Sequence, residues 1–265
     1  MNHLVFKCEQ GGDEWHNLRA GCITASKFAD ARSKVNCLTD QQQKYVDAIL
    51  AGKTETQARE AAGYKAAPKA AGIELALEGK PVGEFSSTAK DYAFRLAIER
   101  ISGEPLDEGF QNWAMRRGNE LEPRARMEHE IQAGVFVERT GFVKTADGAF
   151  GASADGFIGK EEGSEYKCFL APEKLREFYI DNSADSIKDQ VQGCMWITGR
   201  KRWHVGLYCP ALEPIGRQLW WDVFERDDEY IAKLEKDLLE FKAIVDAYEA
   251  KLRSGGYAIT PSIPT

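Results

Sequence analysis

No apolar run in the chain is long enough to cross a bilayer, and its start, MNHLVFKCEQ, has no apolar core of a secretory signal. The six cysteines (Cys8, Cys22, Cys37, Cys168, Cys194 and Cys209) form no C-x-x-C pair. That spacing suits neither a zinc ribbon nor an iron–sulfur cluster, so the thiols are read as reduced and the protein as cytoplasmic. Positive charge is not in excess either. With 35 Lys and Arg against 42 Asp and Glu, the net charge is −7. Such a body does not coat polyanions indiscriminately, and any contact with nucleic acid must be a local basic surface. Internal repeats and low-complexity segments are also lacking.

What remains is an ordinary globular composition, 43% hydrophobic and 29% charged over 265 residues, with six tryptophans to fill a core. In DEWHNLRAGCITASKF a helix is plausible up to Leu18, and Gly21 interrupts it. Between residues 38 and 80 the character changes. Tyr45, Val46, Ile49 and Leu50 make one helical face ended by Gly52, and a second helix follows Thr54 or Thr56 and closes at Gly63. This pair resembles the helix-turn-helix of small terminase subunits, or is a helical hairpin inserted into a larger domain; GKPVGEFSS then reads as a loop. Helical patterns return in YAFRLAIERISG and NWAMRRGNELEPRARMEHEI. Strands are expected in GVFVERTGFV, AFGASADGFIG and SEYKCFL, a helix around SADSIKDQVQGCMWITG, and a strand pair in RWHVGLYCP and RQLWWDVFER. A last helix keeps Tyr230, Leu234, Leu238, Phe241 and Val245 in register. The order implies a mixed α/β fold, a central mixed sheet flanked by helices, as one domain over 1–265 with a small helical insertion at about 38–80.

The stretch GASADGFIGKEEGSEYKC carries the chemistry. Asp155 and Glu165 converge if two strands pair as a hairpin, and Lys167, two residues after Glu165, projects from the same strand face. Two carboxylates offer hard oxygen ligands suited to Mg²⁺ or Mn²⁺. The lysine beside them can hold a water or stabilise charge developing on phosphorus. The pattern resembles the signature of the PD-(D/E)xK nuclease fold, although a surface hairpin with three common polar residues has the same letters. Glu122 reads as a helix start with Pro123 at the first helical position, bringing a third carboxylate or merely a solvated turn. Gln190 and Gln192 lie on the helix after the acidic strand, where a glutamine orients water or phosphate, or is simply exposed. The basic pairs Arg116–Arg117, Arg124–Arg126, Lys174–Arg176 and Arg200–Lys201–Arg202 are solvated faces or a phosphate track.

Taken in order, EQGGDEWHNLRAGCITASKF, RRGNELEPRAR, SADGF, EYKC, DQVQGCMW and FERDDEY resemble the lambda-exonuclease-type, YqaJ-like viral recombinase family. The likeness covers most of the chain and leaves out about 38–80. It implies a PD-(D/E)xK, restriction-endonuclease-like core. It further implies a 5′-to-3′ exonuclease on double-stranded DNA ends that leaves 3′ overhangs for phage-type recombination in a bacterial host. Mg²⁺, replaceable by Mn²⁺, would be held as two ions by Asp155, Glu165, the Tyr166 carbonyl and Glu122, with Lys167 positioning water and Gln190 at the family's glutamine. Arg19, Ser26 and Ser153 would hold the 5′-phosphate. Arg116, Arg117, Lys174 and Arg176 would touch DNA, the last two standing in for an arginine expected just after the EYKC motif. A homotrimeric ring and a single-strand annealing protein as partner are implied too. The alternatives are a non-catalytic DNA-binding or packaging component, and a restriction-type endonuclease of the same fold.

Overall fold

Residues 3–106 and 113–255 are described in the computed structural model. The chain divides into two compact units: residues up to Ala31 together with those from Ala93 on, and Arg32–Tyr92.

The larger unit opens with β1 (His3–Phe6) and α1 (Asp13–Arg19), whose acidic first turn and basic last turn complement the helix dipole. β2 (Ile23–Thr24) and α2 (Phe28–Ala31) follow. The second unit holds β3 (Lys34–Val35), α3 (Asp40–Leu50), α4 (Glu55–Ala62), α5 (Ala71–Leu77) and β4 (Glu84–Phe85). Both α3 and α4 start on capping boxes, Thr39 with Gln42 and Thr54 with Gln57, and Gly63 ends α4 at φ 75°. Tyr45, Val46, Ala48, Ala58, Ala62 and Ile73 form this unit's core. The 38–80 segment lies inside it. Beyond the two expected helices it contains α5, and the stretch read as a loop supplies β4, paired antiparallel with β3.

α6 (Ser87–Ser102) leads back to the larger unit, where α7 (Trp113–Ala133) precedes two sheets. In the first sheet the order is β1, β5 (Phe142–Thr145), β6 (Phe150–Ala152), β2, with β2 parallel to β6. In the second, β7 (Gly156–Ile158) pairs antiparallel with β8 (Glu162–Lys167), which runs parallel to β9 (Arg202–Tyr208). β10 (Leu219–Glu225) closes that edge. Gly163 is required in β8 because a Cβ there would come within 2.3 Å of the Trp203 ring on β9. Between the strands lie α8 (Pro172–Tyr179) and α9 (Lys188–Thr198). α9 is buried without a break from Val191 to Thr198 and packs on strands of both sheets. α10 (Asp228–Ser254) covers it with the buried stripe Ile231, Leu234, Leu238, Phe241 and Val245.

One local expectation is overturned. α7 does not start at Glu122; among the described residues it begins at Trp113 and carries Pro123 inside. A proline there removes a backbone hydrogen bond and costs about 3 kcal/mol in an isolated helix. Here the stripe Leu121, Ala125 and His129 packs across the proline; Ala125 lies against Tyr166, Tyr208 and Leu219, and His129 against Tyr166 and His204. Packing outweighs the local preference.

Candidate active site

The β7–β8 hairpin brings the acids together. Asp155 lies one residue before β7, and its N–H donates to the Ser164 carbonyl (3.1 Å). Beyond the end of β7 its carboxylate takes over as strand partner, since Asp155 Oδ2 accepts from the Tyr166 N–H at 2.6 Å. Gln10 ties the preceding peptide by donating to the Ala154 carbonyl (2.7 Å). Glu165, in the middle of β8, is only 5% exposed. Its Oε1 accepts from Lys167 Nζ (2.7 Å), which also donates to Gln190 Oε1 on α9 (3.0 Å). The two glutamines are thereby told apart: Gln192 is a brace, donating to the Glu225 carbonyl and accepting from the Asp227 N–H.

Glu122 comes to this centre from α7, where its Oε1 accepts from Arg126 Nη1 (3.3 Å). Burial raises its pKa, opposed by Arg126 and Arg139 and reinforced by Glu165. Asp155 is driven well above the usual carboxylate range, first by burial and then by the charges of Glu165 and Glu122. Burial pulls Lys167 down, but Glu165 and Asp155 more than offset it, so the ammonium is held charged. Three mutually repelling carboxylates thus meet beside Lys167, with Arg126 and Arg139 offsetting charge on the Glu122 side.

Glu165 Oε2 is buried without a hydrogen-bond partner, a costly state for a carboxylate oxygen. Among the described residues no three His, Cys, Asp or Glu side chains close into a ready metal cage. Mg²⁺ does not need one, because it keeps several waters and takes one or two carboxylates. The oxygen donors, the orphaned Oε2 and the mutual repulsion of the acids fit a hard divalent cation.

A second cluster lies on the first sheet. Arg19, at the end of α1, stacks on Trp15 (4.1 Å to the ring centre) and donates through Nη1 to Ser153 Oγ at 2.8 Å. Trp15 Nε1 donates to the same oxygen (3.0 Å), and Arg19 Nη2 reaches Thr24 Oγ1 at 3.5 Å. With two donors pointing at it, the Ser153 hydroxyl has its own proton left to give. The parallel pairing of Thr24 with Gly151 sets β2 beside this serine. Ser153 is two residues before Asp155, so the two clusters adjoin along the chain. Ser26 stands exposed in the turn Ala25–Lys27 beyond β2. Trp15 and Thr24 were not singled out as site residues from sequence; the four-residue spacing of Trp15 and Arg19 on one helix is a signal for the first, and no local pattern marks Thr24.

The remaining basic residues are more dispersed. Arg117 donates to the Cys168 carbonyl (3.1 Å), Lys174 pairs with Glu177 (3.6 Å) and Arg176 with Asp181 (3.5 Å). Arg116, Arg117 and Arg124 line a recess of about 460 Å³ with Trp113, Leu121 and Pro210.

A family model described as a YqaJ-like viral recombinase domain matches residues 14–201. The alkaline exonuclease LHK-Exo of Laribacter hongkongensis is 25% identical, with a TM-score of 0.65 over 91% of this chain and 96% of that one. Its complex with dAMP matches with the same figures. A phage-related exonuclease from Haemophilus somnus 129PT shares the fold at 16% identity and a TM-score of 0.53, over 87% of this chain and 96% of the other. No curated protein matches. The LHK-Exo match leaves out fewer residues than the 38–80 segment holds, so part of that segment at least is covered by it.

Proposed function

The chain belongs to the YqaJ-like viral recombinase domain family, and from that premise we propose that it is a divalent-metal-dependent exonuclease on double-stranded DNA. On this reading it removes nucleotides from a 5′ end and leaves a 3′ single-stranded overhang. A phage-type exonuclease is what the family and the similarity to an alkaline exonuclease support. The observation that carries the finer reading is the buried, unpartnered Glu165 Oε2 among three carboxylates and a charged lysine.

Asp155, Glu165, the Tyr166 carbonyl and Glu122 would hold Mg²⁺ or Mn²⁺, in one or two ions. Once bound, such an ion supplies an acidified water and neutralises charge on the scissile phosphate. The protein's own groups do the rest. Lys167 uses two of its three N–H donors on Glu165 and Gln190, which leaves one to orient the attacking water or a phosphate oxygen. Because the neighbouring acids keep it charged, it acts as a donor and not as a base.

Arg19, Ser153 and Thr24, with Ser26 beyond them, form the anchor for a terminal phosphate. Anchoring the end there gives the enzyme its direction. Arg116, Arg117, Lys174 and Arg176 would follow the backbone further out. By the same family resemblance, three copies close a ring around the duplex, and a single-strand annealing protein receives the overhang.

Linear and closed circular duplex of one sequence, each in Mg²⁺ and in chelator, distinguish this reading from a restriction-type endonuclease. Only the linear DNA in Mg²⁺ should be degraded. Cutting of the circle, or degradation in chelator, overturns the proposal, and DNA binding without any cleavage favours a packaging role.

A further inference from the structure

Nuclease chemistry leaves one buried polar chain without a task. On the face of β8 turned away from Glu165 and Lys167, the Tyr166 hydroxyl lies 2.8 Å from His129 Nδ1 on α7. His129 Nε2 lies 3.0 Å from His204 Nδ1 on β9, and His204 Nε2 lies 2.6 Å from Glu162 Oε2. Trp221 stacks parallel to the His204 ring at 6.2 Å. All three of Tyr166, His129 and His204 are buried, His129 completely. One choice of tautomers satisfies every atom: Tyr166 donates to His129, His129 to His204, and His204 to Glu162.

Stability alone does not account for this chain. Apolar side chains of the same volume would fill the space without the desolvation that buried polar groups incur. A hydrogen-bonded chain provides something apolar packing does not, which is a directional register between two elements. The elements concerned are the two that carry the acids. Tyr166 stands between Glu165 and Lys167, and its N–H holds Asp155. His129 follows Glu122 by seven residues on α7, about two turns or ~10.5 Å. The hydrogen-bond partner of Glu122, Arg126, is on the same helix, so its place over β8 is set by where α7 sits.

We propose that the His129–Tyr166 hydrogen bond is a positioning device that registers α7 on β8 and so holds Glu122 toward the Asp155–Glu165 pair. His129 touches neither substrate nor metal in this account; it acts through the helix. The inference rests on the metal-site reading above, and its test separates the two.

The measurement is calorimetric Mn²⁺ binding to the full chain without DNA, beside thermal unfolding in chelator. Tyr166→Phe and His129→Leu should each weaken Mn²⁺ binding roughly three- to tenfold, the scale of one neutral hydrogen bond. His129→Asn, which keeps a polar atom near the Nδ1 position, should stay within about twofold of the unmutated protein. In a Glu122→Gln background, Tyr166→Phe should cause no further loss, because the hydrogen bond works through Glu122. Should His129→Leu fail to fold, Tyr166→Phe, which removes a single oxygen, still decides. Unchanged Mn²⁺ affinity in Tyr166→Phe, whatever its melting temperature, overturns the inference and leaves the metal site standing. An unmutated protein that binds no Mn²⁺ removes both.

Discussion

Asp155 is a residue whose surroundings oppose its charge strongly. Its pKa is raised, so the folded metal-free protein holds that proton more tightly than the unfolded chain does. The sign follows: its contribution to stability falls as pH rises from the ordinary carboxylate value through the folded one. Asp155→Asn keeps an oxygen for the Tyr166 N–H and removes the repulsion. It should abolish Mg²⁺-dependent cleavage while raising the melting temperature in chelator by about 2–4 °C, the shift expected for roughly 1 kcal/mol in a domain of this size. Retained cleavage with a lowered melting temperature would mean that Asp155 is structural. Arg19 makes a parallel case. Charge-assisted contacts contribute about 1.5–3 kcal/mol each. Arg19→Ala should therefore slow digestion of 5′-phosphorylated duplex about ten- to a hundredfold and barely alter that of 5′-hydroxyl duplex, as initial rates on the two substrates will report. The acids and Lys167 were legible in the sequence because a two-residue spacing on one strand fixes their face. The helical pattern alone did not separate Gln190 from Gln192, since which one meets Lys167 depends on how α9 lies on β8; only the family resemblance pointed to Gln190. The contact of His129 with Tyr166 joins residues 37 apart in sequence, and no local pattern announces it.

Elements position these residues, and the bend after α1 shows how. Gly21 adopts φ +69°, its N–H donates to buried Glu99 (2.9 Å), and its carbonyl accepts from Arg100 (2.9 Å), both on α6. A Cβ at that position would lie 2.5 Å from Arg100 Cγ. Gly21→Ala should therefore destabilise by about 1–2 kcal/mol from the left-handed backbone alone, with more from displacing Arg100, measurable by urea unfolding. An unchanged midpoint would show that the bend relaxes freely and does not hold Arg19. Strands with two distinct faces or strong burial, such as β8 to β10, could be read from sequence. β1 could not, because its residues are exposed on both faces and its partner β5 is more than 130 positions away. The start of α7 was misread because Pro123 mimics an N-terminal signal, while the packing of Leu121, Ala125 and His129 carries the helix through it.

For the whole molecule, the acidic balance and the pH response are the properties to be measured. Burial, with His204 beside it, lowers His129 from 6.5 to about 4. The unfolded chain thus takes up a proton near pH 6.5 that the folded protein refuses until near 4. His129 therefore contributes stability above pH 6.5 that is lost progressively as pH falls through that window. Urea midpoints should decline between pH 7 and 4.5, and less steeply in His129→Asn. Parallel curves for the two proteins would show that His129 does not titrate differently on unfolding. The unit Arg32–Tyr92 has its own core and caps and holds none of the proposed catalytic residues. That organisation, with all the acids in the other unit, is why the nuclease reading survived an unassigned segment in the middle of the sequence.

On the proposed function, the Asp155–Glu165–Lys167 centre, two residues along the chain from Ser153, removes nucleotides from a 5′ end with the help of a divalent metal. Linear duplex labelled at the 5′ terminus of one strand, or at the 3′ terminus of the same strand, tests it most directly when followed in Mg²⁺ with the unmutated protein and with Lys167→Ala. The 5′ label should be released as small products at the earliest times, the 3′ label retained until late, and both should stay in place with Lys167→Ala. Early release of the 3′ label, or undiminished release by Lys167→Ala, would contradict it.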